Sequence, residues 1–255
     1  MEILIFVVGM VFGSFINMLI YRLPLGISLI EPKRSICPNC NHTIKWYENI
    51  PLLSYIFLKG RCSNCKQPIS IVYPIVEFIC GIITLLLYIK LGLSFDFFIF
   101  TLLFYILILL SFIDFRYKAV PDYLLLLVLI IAFYIKDFDF IVALEFAGGF
   151  VLLNFFITFY IQNIKSKLTK NEDLKTQTAL GEGDIPIVTI IGGILGVKLG
   201  LIAIFFSAIF AILPAIYSTI KNNDIQTPFI PYLSLGFLCC FIYDNVIINI
   251  INGLI

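Results

Sequence analysis

Two acidic side chains stand at the ends of apolar runs, where a carboxylate is costly to place. Asp184 is the last residue of the tetrapeptide Gly-Glu-Gly-Asp, which begins at Gly181 and precedes the apolar run 185–197. Asp114 directly follows another apolar run, 97–113. Glycine lacks a Cβ, so the two glycines allow a tight turn and the close approach of another segment. One such acid could merely mark a membrane boundary, but two of them predict a dyad.

Two neighbouring aspartates can hydrolyse a peptide bond. One ionised carboxylate activates water, and one protonated carboxyl donates to the carbonyl oxygen. Two like charges in a low-dielectric site do not both ionise easily, so the pair shares a proton. The single histidine, His42, gives no convincing Ser-His or Cys-His system. Asp122 is the main rival for a catalytic place, although its position after Pro121 also suits a helix start, where a carboxylate can cap free N–H groups.

A second group of reactive side chains lies in the polar segment 22–70. It contains two Cys-x2-Cys pairs separated by 21 residues, a spacing typical of structural zinc sites in which two knuckles offer four thiolates to one ion. The four are Cys37, Cys40, Cys62 and Cys65. A reducing cytoplasm disfavours a disulfide interpretation. Reduced or redox-active thiols are the alternative to a metal site.

The other candidate ligands near this loop are less persuasive. His42 could replace one cysteine as a ligand, but we favour an exposed histidine. The remaining cysteines, Cys80, Cys239 and Cys240, lie in apolar runs, where cysteine behaves as a small core or lipid-facing residue. The sequence therefore predicts one metal site of four cysteines.

The composition places both groups in a membrane protein. Of the 255 residues, 61% are hydrophobic and 13% are charged, which predicts an all-α polytopic membrane protein. The net charge of +1 argues against nucleic-acid binding, because no basic face is available to neutralise many phosphates. The first apolar run has no basic residue before it and is about as long as a spanning helix, so we expect a retained first helix rather than a cleaved signal.

Eight apolar runs predict about eight transmembrane helices. The fourth and sixth are shorter than the roughly 20 residues of a straight span. In and after the sixth, Gly192, Gly196 and Gly200 recur every four residues, which suits close helix packing, and Lys198 indicates a turn before the last glycine. We identify no internal repeat. The runs cover residues 3–21, 71–89, 97–113, 123–135, 140–161, 185–197, 199–220 and 229–251.

Three regions follow from this pattern. Residues 1–21 form a first transmembrane helix, residues 22–70 a small cytoplasmic zinc-knuckle loop domain, and residues 71–255 a transmembrane bundle that carries both aspartates. The segment 162–180 is rich in Lys, Asn and Thr, and we expect a flexible connector there.

The distribution of basic residues predicts the orientation. If the eight spans alternate, all but three of the 17 Lys and Arg residues fall on the side of the first long loop, which the positive-inside rule makes cytoplasmic. Both chain termini then lie outside, and both aspartates lie at the cytoplasmic edge. Lys90, Lys136 and Lys198 fall outside. The cytoplasmic residues are Arg22, Lys33, Arg34, Lys45, Lys59, Arg61, Lys66, Arg116, Lys118, Lys165, Lys167, Lys170, Lys175 and Lys221.

Several stretches, taken in order, resemble bacterial type IV prepilin peptidases. The run 13–24 (GSFINMLIYRLP), the cysteine loop with 46–55 (WYENIPLLSY) and the run 73–77 (YPIVE) look like the N-terminal part of that family. The run 111–122 around Asp114 and the Gly-Glu-Gly-Asp that ends at Asp184 look like its two catalytic motifs, the second being the Gly-x-Gly-Asp signature. Gly-x-Gly-Asp alone is a weak signal, but four motifs in order are specific, and they cover essentially the whole chain.

The resemblance implies a bifunctional enzyme of the bacterial cytoplasmic membrane. Such an enzyme cleaves the short basic leader from prepilins or pilin-like secretion or competence proteins at the cytoplasmic face, and methylates the new N-terminal amine with S-adenosylmethionine. By motif position, Asp114 and Asp184 take the catalytic places. The resemblance assigns the methyltransferase role to the N-terminal part. Four residues there are candidate methyl-donor contacts, and their alternative roles are helix packing and anchoring at the membrane edge. These candidates are Gly13, Asn17, Arg22 and Glu77.

Three other functions compete with this interpretation. A Gly-x-Gly-Asp intramembrane aspartyl protease without methyltransferase activity leaves the cysteine loop unexplained. An ion- or proton-coupled transporter would be expected to carry its acids near the bilayer midplane, whereas both acids lie near predicted helix ends. A membrane-anchored zinc-binding interaction module leaves the motif of Asp184 unexplained.

Overall fold

The structure, a computed structural model, describes residues 1–31, 35–169, 172–175, 181–220 and 227–254. In these ranges the regular elements are helices, and two isolated antiparallel bridges are the extended pairings. Most of the second half of the expected connector, 162–180, lies outside the described residues. So do four basic residues whose side of the membrane was predicted, namely Lys33, Arg34, Lys170 and Lys221.

The helices follow the apolar runs closely. They are α1 (Glu2–Arg22), α2 (Leu53–Phe57), α3 (Val72–Leu91), α4 (Phe95–Tyr117), α5 (Asp122–Ala132), α6 (Phe140–Phe159), α7 (Ser166–Thr169), α8 (Asp184–Ile220), α9 (Ile230–Ile242) and α10 (Asp244–Leu254). Short 3-10 turns cover Trp46–Asn49 and Glu172–Lys175, and a π-helical turn, Tyr160–Lys165, joins α6 to α7.

An all-helical membrane fold is confirmed. In the described part of the chain, five helices are long and apolar enough to cross a membrane: α1, α3, α4, α6 with its extension, and α8. The pair α9 and α10, bent by 77°, would make a sixth. With its 11 residues, α5 is only about 16 Å long, short of a hydrocarbon core of about 30 Å. The count of eight spans therefore stays a prediction.

The helices group into two compact units, Met1–Tyr117 and Lys118–Ile255. In the first unit α1 packs against α3 at small residues. A Cβ added to Gly9 would lie 2.9 Å from the Cα of Gly81, and one added to Gly13 would lie 2.7 Å from the Cα of Glu77. Without side chains at these positions the two backbones approach closely, which is how van der Waals packing holds helices together in lipid.

The third long helix of this unit, α4, carries Asp114 in its last turns. The Ser94 hydroxyl accepts the N–H of Phe97 (3.1 Å) and so caps the start of α4. The side chains of Leu103, Leu107 and Leu110 are fully buried on one face of the helix, against α1 and α3. The helix ends before Lys118, whose φ of 52° is left-handed. This packing fixes the carboxyl end of α4, and with it Asp114.

In the second unit α8 is a hairpin. Eight residues of straight helix would separate Gly192 from Gly200 by about 12 Å. Instead, a Cβ on Gly200 would lie 3.5 Å from the Cα of Gly192, and added Cβ atoms on both would overlap the ring of Phe146. Two helical arms therefore fold back at Gly196, whose φ of 71° and ψ of 179° are not helical. The close packing expected at Gly192 and Gly200 is confirmed.

The position of the turn differs from the prediction. The charge of Lys198 indicated a turn at that residue, but the chain reverses two residues earlier, at Gly196. The backbone conformation at Gly196 is essentially restricted to glycine, because a Cβ would clash with the backbone. Backbone sterics therefore decided the place of the turn, and the charge did not.

The remaining helices of this unit surround the two arms. The Asp139 carboxylate accepts the N–H groups of Ile141 (3.0 Å) and Val142 (3.1 Å), which caps the start of α6. α9 lies so close to the second arm that a Cβ on Gly236 would overlap Ser207 and the Ala203 carbonyl. The core contains the fully buried Ile187, Ile190, Ile191, Leu233 and Phe237.

Replacing Gly196 tests the hairpin. We expect Gly196→Ala to lower the free energy of unfolding by about 1–3 kcal/mol, because an L-residue is strained in this conformation. The measurement is thermal unfolding of the purified protein in detergent micelles. Gly148→Ala in α6 is the control, since its added Cβ meets no atom within 4 Å and alanine favours a helix by up to about 1 kcal/mol. Equal unfolding temperatures for the two variants would contradict the fold-back.

Candidate active site

The four predicted cysteine ligands lie together. Their sulfur atoms are all within 4.8 Å of one another, and the Sγ atoms of Cys37 and Cys65 are 3.9 Å apart. Four sulfurs around a tetrahedral zinc ion at 2.3 Å would be about 3.8 Å apart. The cysteines are free thiols, with Cys37 and Cys62 buried and Cys40 and Cys65 half-buried. The donor set and its spacing therefore fit one soft metal ion.

The two cysteine pairs have the same local structure. The N–H of Cys37 donates to the His42 carbonyl, and the N–H of Cys62 donates to the Gln67 carbonyl, both at 2.9 Å. Each knuckle is closed by an isolated antiparallel bridge and by a left-handed residue, Asn41 in the first and Lys66 in the second. The chain thus contains an internal repeat that the sequence analysis missed, because each copy is only about eight residues long.

Two asparagines connect the knuckles. The Asn39 amide donates to the Cys65 sulfur, and the Asn64 amide donates to the Cys40 sulfur, both at 3.7 Å. Each asparagine therefore reaches from its own knuckle to a cysteine of the other, and such N–H donors orient metal ligands and stabilise thiolates. Neither asparagine is among the site residues predicted from the sequence. The available signal was asparagine at the third position of both Cys-x-Asn-Cys motifs.

The local electrostatics differ between the two pairs. A hydrogen bond from the backbone N–H of Gln67, and then one from Asn39, lower the pKa of Cys65 to about 6. Burial raises the pKa of Cys37 to about 11. The hydrogen bonds at Cys65 therefore favour its thiolate, whereas burial disfavours the thiolate of Cys37, which a positive ion would stabilise.

His42 does not join the cysteine cluster. Its Nε2 lies 3.7 Å from the Glu48 carboxylate, and Glu48 also accepts the Lys45 N–H at 2.8 Å. That N–H is the main cause of the lowered pKa of Glu48, and a hydrogen bond to Ser63 is the second. Glu48 therefore ties the turn Trp46–Asn49 to the second knuckle, and His42 assists by its proximity to the carboxylate.

The candidate methyl-donor contacts make structural interactions between the loop and the helices. Asn17 donates to the Tyr73 carbonyl (2.9 Å), which ties α1 to α3 near Gly13. The buried Arg22 donates to the carbonyls of Ser28 (2.9 Å) and Leu29 (3.3 Å), so it braces the chain after α1. These contacts give Asn17 and Arg22 packing and anchoring roles.

Glu77 makes the contact that attaches the cysteine loop to α3. Its carboxylate accepts the N–H of Leu52 at 2.9 Å and is hydrogen-bonded to Ser14. Leu52 has a φ of 59°, a left-handed conformation that strains a leucine. The buried acid therefore holds a strained turn of the loop against the helix pair.

Both predicted catalytic aspartates are buried at helix ends. Asp114 is 8% exposed and lies in the last turns of α4, and Asp184 is 5% exposed and begins α8. The rival Asp122 is exposed and is the first residue of α5. The expected helix start there is confirmed, although Pro121 occupies the cap position and no side chain caps this end. Asp114 and Asp184 belong to different units, so their pairing stays a prediction.

The glycines before Asp184 allow a tight turn and a close neighbour. The Asp184 N–H donates to the Gly181 carbonyl at 3.1 Å, which forms the turn, and neither glycine has a positive φ. A Cβ on Gly183 would lie 2.9 Å from a methyl group of Val120, with Ile230 at 3.7 Å. The expected close approach of another segment therefore occurs at Gly183, and apolar side chains cover this side of the turn.

Comparisons with known proteins cover nearly all of the chain. Residues 7–91 match the bacterial peptidase A24 N-terminal domain, and residues 101–216 match the type IV leader peptidase family. The prepilin leader peptidase/N-methyltransferase of Vibrio cholerae is 33% identical over 249 residues, which cover 94% of this chain and 95% of that protein. Proteins of the same name from Bacillus subtilis (29% over 254 residues, 96% of each chain) and Legionella pneumophila (30% over 269 residues, 93% of this chain and 89% of that protein) are also similar.

No solved structure is significantly similar to the chain. The two matched domains together span the cysteine knuckles, the brace at Glu77 and the helices of both aspartates. The chain belongs to the type IV leader peptidase family, together with the prepilin leader peptidase/N-methyltransferases.

Proposed function

We propose that the protein cleaves the leader peptide of type IV prepilins or pilin-like proteins and methylates the new N-terminal residue. The observation that carries this proposal is the pair of buried aspartates at the ends of apolar helices, within a chain that is similar over almost its full length to prepilin leader peptidase/N-methyltransferases. Prepilins and the lipid bilayer are its partners.

Asp114 and Asp184 are the catalytic residues of the cleavage. One carboxylate takes a proton from water as the water oxygen attacks the scissile carbonyl carbon, and the other carboxyl donates its proton to the carbonyl oxygen. The C–N bond then breaks, and the leaving nitrogen receives a proton, which frees the mature N-terminus. The burial of both side chains supports this role, because a dry, low-dielectric site keeps one proton on the pair.

We place the protein in the bacterial cytoplasmic membrane with about eight spans. The fold-back at Gly196 supports this count, since it divides α8 into two arms that correspond to the sixth and seventh apolar runs. α5 and the first arm of α8 then correspond to the two short runs of the sequence. The excess of Lys and Arg on one side supports a cytoplasmic position for the cysteine loop and for both aspartates.

The cysteine loop, residues 22–70, is the centre of the methyltransferase region. Cys37, Cys40, Cys62 and Cys65 would hold zinc, which joins the two knuckles and stabilises a loop too small to have a core of its own. S-adenosylmethionine would supply the methyl group. A transporter is less well supported, because the two buried acids lie at helix ends rather than at mid-helix.

Replacing either aspartate tests the dyad. Asp114→Asn and Asp184→Asn should each slow leader cleavage by a factor on the order of 10²–10⁴ or more, because each removes one proton-sharing carboxyl without changing its size. Cleavage of a purified prepilin by detergent-solubilised protein is the measurement. The exposed Asp122→Asn is the control and should retain activity. Near wild-type cleavage by either dyad variant would exclude that residue.

Replacing a cysteine tests the separation of the two activities. Cys37→Ser and Cys62→Ser should lower the zinc content and weaken methylation more than cleavage, because neither aspartate lies in the loop. Metal binding contributes roughly 10–16 kcal/mol in small zinc peptides, so its loss disorders the knuckles. Mass spectrometry of a co-expressed prepilin measures both the position of cleavage and the methylation of the new N-terminus. Equal loss of both activities in an inserted variant would show that the loop supports the whole enzyme.

Replacing the asparagines tests the connection between the knuckles. Asn39→Ala and Asn64→Ala should each weaken zinc binding by about tenfold, because each removes an N–H donor to a cysteine of the other knuckle. Competition with a chromophoric chelator measures the affinity without reference to activity. His42→Ala should leave the affinity near the wild-type value. If His42→Ala instead removed the metal, the four-cysteine site would be wrong.

A further inference from the structure

A cavity of about 570 Å³ lies in the first unit, between the end of α1 and the cysteine loop. From α1 it is lined by Ser14, Phe15 and Arg22, and from the loop by Trp46 and Asn49. Its volume lies within the range of small-molecule sites in proteins, about 300–1,000 Å³. None of the roles assigned above to the aspartates or the cysteines uses this space.

The walls of the cavity are held by specific contacts. Arg22 binds the carbonyls of Ser28 and Leu29, which fixes the chain that leaves α1. On the other side, the Glu77 carboxylate holds the N–H of Leu52, immediately after the lining residue Pro51. The cavity therefore lies between two braced segments rather than in an open loop.

The lining combines two aromatic rings with hydrogen-bonding groups and one cation. Trp46 is 78% exposed, and the Phe15 ring of α1 is also exposed. Aromatic faces bind planar bases by stacking and bind cations through their negative faces. The Asn49 amide both donates and accepts, as the edge of a purine requires, and Arg22 is the charged group among the described lining residues.

We propose that this cavity binds S-adenosylmethionine, with the Trp46 ring against its adenine or sulfonium group, Asn49 at polar edges and Arg22 toward its carboxylate. The inference rests on the proposed methyltransferase function and assigns that activity a site. A purine, a cation and a carboxylate in one molecule match the rings, the amide and the guanidinium. A peptide N-terminus, the other candidate occupant, offers no counterpart for the guanidinium.

The transfer itself is a substitution at the methyl carbon. The N-terminal ammonium of the processed substrate first loses a proton to water. The neutral nitrogen then attacks the methyl carbon, and an N–C bond forms as the C–S bond breaks. The electron pair of the C–S bond stays on sulfur, which gives neutral S-adenosylhomocysteine and a methylated ammonium. α1 ends at Arg22, so the cavity lies at the predicted membrane edge, where a membrane-embedded substrate presents its new N-terminus.

Binding of radiolabelled S-adenosylmethionine to the purified full-length protein tests the proposal. Trp46→Ala and Asn49→Ala should each raise the dissociation constant by about tenfold, and Trp46→Phe should restore most of the affinity, because an aromatic face is retained. The control is Phe57→Ala, since Phe57 is an aromatic residue of the same loop, is 80% exposed and lies outside the cavity lining. Leader cleavage should be unchanged in all four variants.

Three results would overturn the proposal. Unchanged affinity for S-adenosylmethionine in both alanine variants would exclude the cavity as its site. A raised KM for prepilin cleavage with unchanged S-adenosylmethionine affinity would assign the cavity to the substrate peptide instead. If Phe57→Ala lost as much affinity as Trp46→Ala, the effect would belong to the loop as a whole. A wild-type protein that neither binds S-adenosylmethionine nor methylates its product would contradict the proposed methyltransferase function itself.

Discussion

The hydrogen bond from the Leu52 N–H to the Glu77 carboxylate supports the arrangement of the whole first unit. A carboxylate that is 8% exposed on an apolar helix is tolerated only with good partners, and here the partners are a backbone N–H and the Ser14 hydroxyl. The same bond stabilises the left-handed conformation of Leu52. One interaction thus satisfies a buried acid, fixes a strained turn and attaches the cysteine loop to the membrane helices.

The knuckles connect to the cavity beside α1 through a short chain of contacts. The paired cysteines fix Ser63, Ser63 and the Lys45 N–H hold Glu48, and Glu48 fixes the turn that carries Trp46 and Asn49. That turn forms one wall of the cavity beside α1. A metal ion held by the cysteines can therefore affect the shape of this cavity, and this gives a physical reason to expect that cysteine substitution weakens methylation.

The sequence predicted local features well and distant ones poorly. Cys-x2-Cys spacing is local, so the cluster of four cysteines could be predicted from it. The hydrogen bonds of Asn39 and Asn64 cross between the knuckles and are visible only in the three-dimensional structure. The apolar runs and the charge of Lys198 predicted a break between segments 185–197 and 199–220, but they placed the turn two residues too late, because the backbone conformation at Gly196 decides its position. The motifs predict Asp114 and Asp184 as catalytic residues, yet no local pattern gives the distance between two residues that are 70 positions apart.

The repeated knuckle has a consequence for the order in which the chain assembles. Each knuckle is closed by hydrogen bonds between residues no more than nine positions apart, so its loop-closure entropy is small and it can form as soon as it leaves the ribosome. Joining the two knuckles closes a loop of about 25 residues, still before α3 exists. The bond to Glu77 must wait for α3 to enter the bilayer. The cysteine loop can therefore fold first and pack against the membrane helices afterwards.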